Sequence, residues 1–226
     1  MTPPGDIFRG CLLLEQQFAP RPQCRWGTVP VMTTSAGPAQ FTLRRKIFTL
    51  FGASFHIYDT QGRVVAFCKR KAFKLKEDIR LYTSEDMSEE FMRIAAGSIL
   101  DFGATYTVTT PDGSVLGSFR RKGFKSIIRD EWMIFGATGQ QIGMLREDSG
   151  SLAMLRRLIE IATLIVPQRF ELIDMRERTM ARFEQHRNPF IYRLGIEMAP
   201  DRTPEFGDLL ILAGASLIGA IEGRQD

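Results

Sequence analysis

Residues 209–221 read LLILAGASLIGAI, a run of thirteen residues without a charge. A helix needs about 20 apolar residues to cross a bilayer, so this run is too short to span one. It is apolar on every side, and a helix with such a surface has to be enclosed by protein. The rest of the chain must therefore supply the enclosure.

The signals around this run predict a helix of about 19 residues, roughly 28 Å long. Thr203 is placed to cap it, Pro204 occupies the first helical position, and Gly223 follows the last turn. Proline at the start and glycine at the end are typical of helix termini. Small residues would keep the helix slim: Gly207, Ala213, Gly214, Ala215, Ser216, Gly219 and Ala220.

Upstream of the helix, the chain repeats itself. A shift of 51 residues aligns Gly62 with Gly113, and the segment 70–74 with 121–125. A fainter third copy lies 115 residues from the first and aligns Asp174 with Asp59. Each copy contains an alternating strand, a turn such as Pro-Asp-Gly at 111–113, a second strand, a basic corner and two more strands. Three copies predict about twelve strands.

The predicted fold is all-β with two helices: a closed antiparallel barrel of about twelve strands around the hydrophobic C-terminal helix. A barrel larger than eight strands leaves an interior, which one slim helix could fill. Residues 151–166 predict the second helix. It could cover the barrel end, form a dimer contact or lie on a membrane, and we favour covering the barrel end. Residues 1–39 are rich in proline and predict an irregular extension, and 40–226 form the barrel domain.

This arrangement resembles the Tubby C-terminal-like superfamily. The resemblance lies in the F-x-I-x-D-x-x-G unit at 55–62 and its variant at 106–113, in RKGFKSIIRDEW at 121–132, in FEQHRNPFIYRLGIEMAPD at 183–201, and in the C-terminal tail. It covers about residues 41–225. The chain is most similar to the bacterial LURP-one-related and phospholipid scramblase-like members.

The resemblance implies a non-enzymatic module that often acts at membranes. Tubby domains bind phosphoinositides through basic surface residues, and scramblases are described as moving lipids when calcium binds an acidic loop. The corresponding loop here, 184–189, has a single carboxylate, whereas calcium takes 6–8 oxygen ligands. The calcium site of scramblases therefore does not carry over. Their cysteine-rich palmitoylation cluster is also missing from this sequence.

The basic corners are the candidate anion- or lipid-binding site. Triplets of basic residues occupy equivalent places in two repeats, and a lysine follows each triplet three residues later. The full set is Lys69, Arg70, Lys71, Lys74, Arg120, Arg121, Lys122 and Lys125. Clusters of Lys and Arg attract anionic membranes. The flanking Phe67, Phe73, Phe119 and Phe124 could enter a membrane interface. In the alternative interpretation, these aromatic residues are core and the cations only decorate strand ends.

No catalytic or metal site is predicted. His56 is expected on the outer face of a strand, His186 in a hairpin loop, and Cys68 as a small buried residue. The acidic run at 85–90 predicts a solvated turn. We expect no cofactor.

The chain has 226 residues and a formal net charge of +4, which favours an anionic partner or a surface that is merely basic. Its three cysteines show no close pairing, which is typical of a reducing compartment. The hypothesis is a cytoplasmic, non-catalytic module that binds anionic phospholipid at the membrane surface. The alternatives are a soluble protein-interaction or scaffold domain and a carrier of a ligand inside the barrel. Nucleic acid is a less favoured partner.

Overall fold

A computed structural model describes residues 39–46, 54–69, 78–97, 105–122, 131–147, 168–186 and 191–221. All of them belong to one compact unit, Thr33–Asp226. The predicted extension lies outside the described residues except for Ala39, which already begins the first strand and pairs with Met198. The predicted helix at 151–166 also lies outside them.

The described chain forms a closed barrel of twelve antiparallel strands, in which each strand pairs with its neighbours in sequence and β1 pairs with β12. The strands are β1 (Ala39–Lys46), β2 (Ser54–Tyr58), β3 (Val64–Lys69), β4 (Asp78–Tyr82), β5 (Glu90–Ala96), β6 (Thr105–Thr109), β7 (Val115–Arg121), β8 (Glu131–Gly136), β9 (Gln141–Glu147), β10 (Arg169–Asp174), β11 (Thr179–His186) and β12 (Ile191–Met198). Closure leaves the ring without an edge strand, since β1 and β12 satisfy each other's backbone groups.

The hairpins repeat as the sequence predicts. In β2–β3 the Asp59 N–H donates to the Arg63 carbonyl and Gly62 N–H donates to Asp59, both at 3.0 Å. The turns at 110–114, 136–140 and 174–178 have the same pair of backbone hydrogen bonds. Their fourth residue has a positive φ, 77° at Gly62 and 86° at Gly113, a conformation that glycine adopts without steric cost. The same turn therefore recurs four times around the barrel.

The C-terminal helix α1 spans Asp208–Ile221, about 21 Å, and is shorter than predicted. The prediction that it begins at Pro204 was wrong. The Phe206 N–H donates to the Thr203 carbonyl at 2.9 Å in a separate turn, and the helix starts where the Gly207 carbonyl accepts from Leu210 N–H at 3.0 Å. Thr203 therefore closes the turn that precedes the helix, and Gly207 stands at the helix N-terminus.

Helix α1 runs through the barrel lumen. Every residue from 210 to 220 is buried. The helix contacts β1 and β12 on one side and β7 on the other, and β7 lies half-way round the ring from β1. A single helix reaches both walls only from inside. The hydroxyl of Ser216, the polar side chain on this stretch, donates to the Leu212 carbonyl at 2.7 Å and so needs no partner from the wall.

Side chains that alternate along the strands fill the space around α1. The largest fully buried ones include Phe119, Phe183 and Leu43. Two wall glycines leave no room for a side chain against the C-terminal segment: a Cβ on Gly117 would lie 3.0 Å from Leu210 Cδ1 of α1, and one on Gly143 would lie 2.9 Å from Cζ of Phe206, which precedes α1. Packing in such an interior leaves little room for added atoms.

The two ends of the barrel differ. The turn rim consists of the tight turns 59–63, 83–89, 110–114, 136–140 and 174–178 together with the segment 199–207 that leads into α1. The connection rim consists of the opposite strand ends: Lys46, Ser54, Lys69, Asp78, Ala96, Thr105, Arg121, Glu131, Glu147, Arg169, His186 and Ile191. Helix α1 starts at the turn rim and ends at the connection rim.

Candidate functional site

The described members of the two basic corners lie on the connection rim. Lys69 pairs with Ser54 at the end of β3, and Arg120 pairs with Thr105 near the end of β7. These two register pairs are equivalent under the 51-residue repeat. Because β3 and β7 run in the same direction, both corners lie at one end of the barrel. Of the predicted residues, Arg70, Lys71, Lys74 and Lys125 lie outside the described chain.

The cations of the β7 corner have partners within the barrel. Lys122 Nζ lies 2.9 Å from a Glu131 carboxylate oxygen. The Arg120 guanidinium lies 5.0 Å from the centre of the Phe135 ring, and its Nε donates to Thr105 Oγ1 at 3.1 Å. Arg121 lies over the Trp132 ring at 5.9 Å. Exposed pairs of this kind contribute about 0–1 kcal/mol each, so they leave the cations available to an external anion.

The aromatic residues beside the corners are core, where the structure describes them. Phe119 is fully buried next to Gly214 of α1, and Phe67 is 7% exposed and packs on the His56 ring at 4.9 Å between centres. The expectation that these two could enter a membrane interface was therefore wrong, because strand alternation and cross-strand pairing cover them. Phe73 and Phe124 lie outside the described residues.

Basic residues outnumber acidic ones at the described strand ends of the connection rim. The cations are Arg45, Lys46, Lys69, Arg120, Arg121, Lys122, Arg146 and Arg169, and the carboxylates are Asp78, Glu131 and Glu147. The Arg45 side chain points inward. It is 7% exposed, and its Nη1 donates to the Gly219 carbonyl of α1 at 3.3 Å. A buried arginine thus meets the helix C-terminus, where the helix dipole is negative.

The turn rim is acidic. Its carboxylates are Asp59, Glu85, Asp86, Glu89, Asp112, Asp174, Glu177, Asp201 and Glu205, against Arg63, Arg176, Arg178 and Arg202. The two ends of the barrel therefore carry opposite charge, a distribution that sequence reasoning did not foresee because it depends on which strand ends meet.

Two of these carboxylates organise their own turns. Asp59 Oδ1 accepts from the N–H groups of Gln61 and Arg63 at 2.9 Å, and Arg63 Nε donates to Oδ2 at 2.7 Å. Desolvation raises the pKa of Asp59, but the hydrogen bonds from Arg63 and Gln61 outweigh it and hold the pKa below its ordinary value. Asp174 repeats the arrangement with Arg178 and Arg176, and its pKa is lowered for the same reasons. These carboxylates stabilise the turns that contain them.

The exposed large hydrophobic side chains of the described chain also lie on the turn rim. They are Val64 at 39%, Met87 at 39%, Val115 at 43% and Met175 at 62%. Val64 and Val115 are equivalent in the repeat, at the first residues of β3 and β7. The turn rim thus combines carboxylates with isolated apolar side chains.

The remaining sequence candidates offer no shared site. The His56 ring is half-buried on the outer face, as predicted, and its Nε2 lies 2.8 Å from Glu85. Cys68 is fully buried, as predicted, and the acidic run forms the exposed turn before β5. His186 is the last residue of β11 rather than part of a loop. Among the described residues, no three His, Cys, Asp or Glu side chains are grouped for a metal ion.

The sequence reasoning missed one group of cations. Arg44, Arg193 and His186 lie side by side on β1, β12 and β11, since Arg193 is the register partner of both others. Alternation along β12 could have shown that Arg193 faces outward, but only the closure of β12 onto β1 reveals that another arginine lies beside it.

Within the described chain, no helix is long and apolar enough to cross a membrane. Comparisons with known protein families, with curated proteins and with solved structures gave no match.

Proposed function

We propose that this protein is a non-catalytic module that binds anionic phospholipid at a membrane surface, with the connection rim facing the lipid. The observation that carries the proposal is the exposure of Lys69, Arg120, Arg121 and Lys122 at one end of a barrel whose other end is acidic. A dipolar protein of this kind is oriented by a negative surface, because the basic end is attracted and the acidic end is repelled.

The sequences that join the strand ends of this rim support the same orientation. The segments 47–53, 70–77, 98–104, 123–130, 148–167 and 187–190 carry nine cations, Arg70, Lys71, Lys74, Lys76, Lys125, Arg129, Arg156, Arg157 and Arg187, against five carboxylates, Glu77, Asp101, Asp130, Asp148 and Glu160. They also contain most of the apolar residues outside the strands and α1, such as Phe48, Phe51 and Phe102. Each cation near an anionic leaflet contributes about 1 kcal/mol of binding.

Sedimentation with vesicles tests the proposal. The protein should sediment with phosphatidylcholine vesicles that contain about 30% phosphatidylglycerol. It should remain in solution with vesicles of neutral phosphatidylcholine alone. Replacing Lys69 and Arg120 by Glu should weaken partitioning at least tenfold, since about 1.4 kcal/mol is a factor of ten and two favourable contacts become repulsive. Raising the salt concentration should release the wild-type protein, because exposed charges are screened.

The control applies the same charge change to the opposite end. Replacing Arg176, Thr60 and Gln61 by Glu lowers the net charge by as much as the Lys69 and Arg120 replacements do, and all three residues are exposed on the turn rim. This variant should bind nearly as well as wild type. Equal loss in both variants would show that net charge alone matters, and equal sedimentation with neutral and anionic vesicles would eliminate the proposal.

A second candidate is a soluble protein-interaction domain, favoured by the exposed Met175 and Val115 among carboxylates on the turn rim. A partner held there through apolar contacts would stay bound at high salt, unlike an anionic membrane. The Met175→Ser and Val115→Ser variants should then lose the partner while vesicle binding is unchanged. If the Lys69 and Arg120 replacements release the partner instead, this candidate fails.

A further inference from the structure

Gly195, inside β12, has no steric reason to be glycine. At Gly117 and Gly143 an added Cβ would collide with a backbone oxygen of the neighbouring strand. At Gly195 the φ is not positive, and a Cβ would have only ordinary contacts, 3.6 Å from the Glu184 carbonyl oxygen and 3.7 Å from His186 Nε2. The pairing of β12 with β1 and β11 has no bulge at this position. A glycine inside a regular strand weakens it and often marks a place where a ligand approaches closely.

Gly195 lies on the floor of a groove of about 430 Å³, which crosses the outer wall of the barrel on β10, β11, β12 and β1. Its register partners, Glu184 on β11 and Thr42 on β1, both line the groove. Glu197 follows the glycine by two residues on the same face of β12 and also lines it. The missing side chain therefore leaves an open space between two carboxylates and a hydroxyl.

The outward side chains on this part of the wall alternate in charge. Two register rows cross β10, β11 and β12: the first consists of Glu171, Arg182 and Glu197, and the second of Arg169, Glu184 and Gly195. The first row is negative, positive and negative, whereas the second is positive, negative and without a side chain. Opposite charges on adjacent strands stabilise a sheet, so a cation is the charge that would complete the pattern at the glycine.

The two carboxylates beside the groove floor have oxygens without donors in the described chain. Arg169 donates from Nε at 3.2 Å and from Nη2 at 3.0 Å, and both hydrogen bonds end on Oε1 of Glu184. Oε2 of Glu184 has no donor among the described residues. Glu197 is exposed and has no cation paired with it within the same part of the chain, since its register neighbour Arg182 pairs with Glu171 at 3.4 Å. Both carboxylates can therefore accept hydrogen bonds from a ligand.

The β1 side of the floor supplies neutral oxygen atoms. Thr42 and Gln40 line the groove there, as the register partners of the glycine and of the carboxylate two residues further on. Toward the connection rim, the His186 ring borders the floor, whereas Arg193 does not line the groove. Hydroxyl and amide oxygens accept hydrogen bonds without adding charge. The floor is thus surrounded by acceptors on three strands.

We propose that this groove binds a guanidinium cation, which lies over Gly195 and donates to Glu184 Oε2 and to the Glu197 carboxylate. A guanidinium is planar and presents its N–H donors in a fixed fork that matches carboxylate geometry, so it can bond to both acids at once. The wall already contains two pairs of this chemistry, those of Arg169 and Arg182. The ligand adds a third pair at the position where the chain has no side chain.

A free small molecule and an arginine side chain of a protein share this chemistry. The groove lies on the barrel wall and takes a cation, so the inference stands independently of the anionic lipid proposed for the connection rim.

Titration calorimetry at low salt with agmatine, a free guanidine, tests the inference. Agmatine should bind the full-length protein more tightly than putrescine, which carries an ammonium in place of the guanidinium. Glu197→Gln should weaken agmatine binding at least about tenfold, because a hydrogen bond to a charged group is lost. The matched control is Glu89→Gln, the same charge change on the exposed β4–β5 turn, and it should bind as wild type.

The chain itself can supply the missing cation. Gly195→Arg places a guanidinium over the floor and should abolish agmatine binding. Gly195→Leu fills the same space without a charge, and should also abolish binding. Thermal melting of each variant verifies that the barrel is intact. A lower melting temperature for Gly195→Arg than for Gly195→Leu would contradict the charge pattern, since both add bulk and only arginine adds the cation.

The inference is wrong if wild type does not bind agmatine, or if Glu197→Gln or folded Gly195→Arg binds it as tightly as wild type. Arginine blocked by an N-terminal acetyl group and a C-terminal amide then distinguishes the sources. Equal binding of blocked arginine and agmatine indicates an arginine side chain of a protein, and tighter binding of agmatine indicates a free small molecule. Failure of the calorimetry overturns the groove, whereas failure of the anionic vesicles overturns only the proposed function of the rim.

Discussion

The turn rim and the connection rim close the same twelve strands, yet they are built on different principles. The turn rim repeats one short turn, and two of its carboxylates, Asp59 and Asp174, form hydrogen bonds inside those turns with Arg63 and Arg178. The connection rim carries exposed cations whose partners are a ring, as for Arg120, or a half-buried carboxylate, as for Lys122. The aspartates of the turn rim hold their own turns together, whereas the cations of the connection rim remain exposed beside their partners.

The difference extends into the lumen. Near the turn rim, helix α1 enters against glycines, and the wall at Gly143 and Gly117 meets Phe206 and Leu210 with no free space. Near the connection rim, the helix ends against the buried Arg45. Steric fit therefore dominates at one end and electrostatics at the other.

The largest expected effect comes from filling the steric end. Gly143→Val would drive a side chain into Phe206 and the Ile173 carbonyl, and should cost about 3 kcal/mol or more of unfolding free energy. Urea denaturation measures it. Gly195→Ala on the outer wall is the control and should stay within about 0.5 kcal/mol of wild type. If Gly143→Val lost as little unfolding free energy as Gly195→Ala, the lumen would not be tightly packed at this end.

Removing charge at the electrostatic end should have the next largest effect. Arg45→Met keeps a long side chain in the lumen but removes the donor to the Gly219 carbonyl, and should destabilise by about 1–3 kcal/mol. The neighbouring Arg44→Met changes an exposed side chain of the same strand and should cost less than about 1 kcal/mol. If Arg45→Met were as stable as wild type, the buried arginine would have no role in holding the helix end.

Acid should weaken the turn rim in particular. The folded-state pKa values of Asp59 and Asp174 are lowered, so their contribution to stability is present above about pH 4 and is lost as pH falls through the folded values. The Asp59→Asn, Asp174→Asn double variant should be less stable than wild type at pH 7, and should lose less of its remaining stability between about pH 4 and pH 2. Urea midpoints across that interval measure both differences.

The control for the acid experiment is Asp201→Asn, which alters an exposed carboxylate of the same rim that has no side-chain hydrogen bond in the described chain. Its midpoints should follow those of wild type at each pH. A double variant with the same pH dependence as wild type would show that the two turns do not contribute to acid sensitivity.

The smallest effect is expected at the exposed apolar residues. Met175→Ser changes a side chain that is 62% exposed, and should alter the unfolding free energy by no more than about 0.5 kcal/mol. A stabilisation or loss well beyond this range, measured by thermal melting, would show that Met175 belongs to the packed structure and is not a free surface residue.

The sequence was sufficient for the architecture because the barrel obeys local rules. Alternation predicted the strand, turn and second strand of each repeat, which appear as β2–β3 and β6–β7, and Pro-Asp-Gly predicted the 110–114 turn. The apolar run gave the enclosed helix. The predicted helix start was wrong because Thr203 and Pro204 fit a helix N-terminus and a turn equally well by sequence. In the structure Thr203 accepts a turn hydrogen bond from Phe206, and the first helical bond is accepted by Gly207.

The sites were less predictable because they depend on register between distant strands. Arg45 looked equivalent to Arg44 and Lys46 in sequence, although alternation turns it toward α1. The row of Arg44, Arg193 and His186 joins strands that are far apart in the chain, so no local pattern could reveal it. The charge difference between the rims likewise follows from the antiparallel order of all twelve strands.

The pairing of Ala39 with Met198 has a consequence for biosynthesis. The ring cannot close until Met198, 159 positions after Ala39, has left the ribosome. Its interior stays exposed to water until the helix that follows has also emerged. During synthesis the inward faces of eleven strands would thus be unprotected. Proteins dominated by such distant contacts fold slowly, and their folding intermediates expose apolar surface. We therefore expect chaperones to bind the nascent chain.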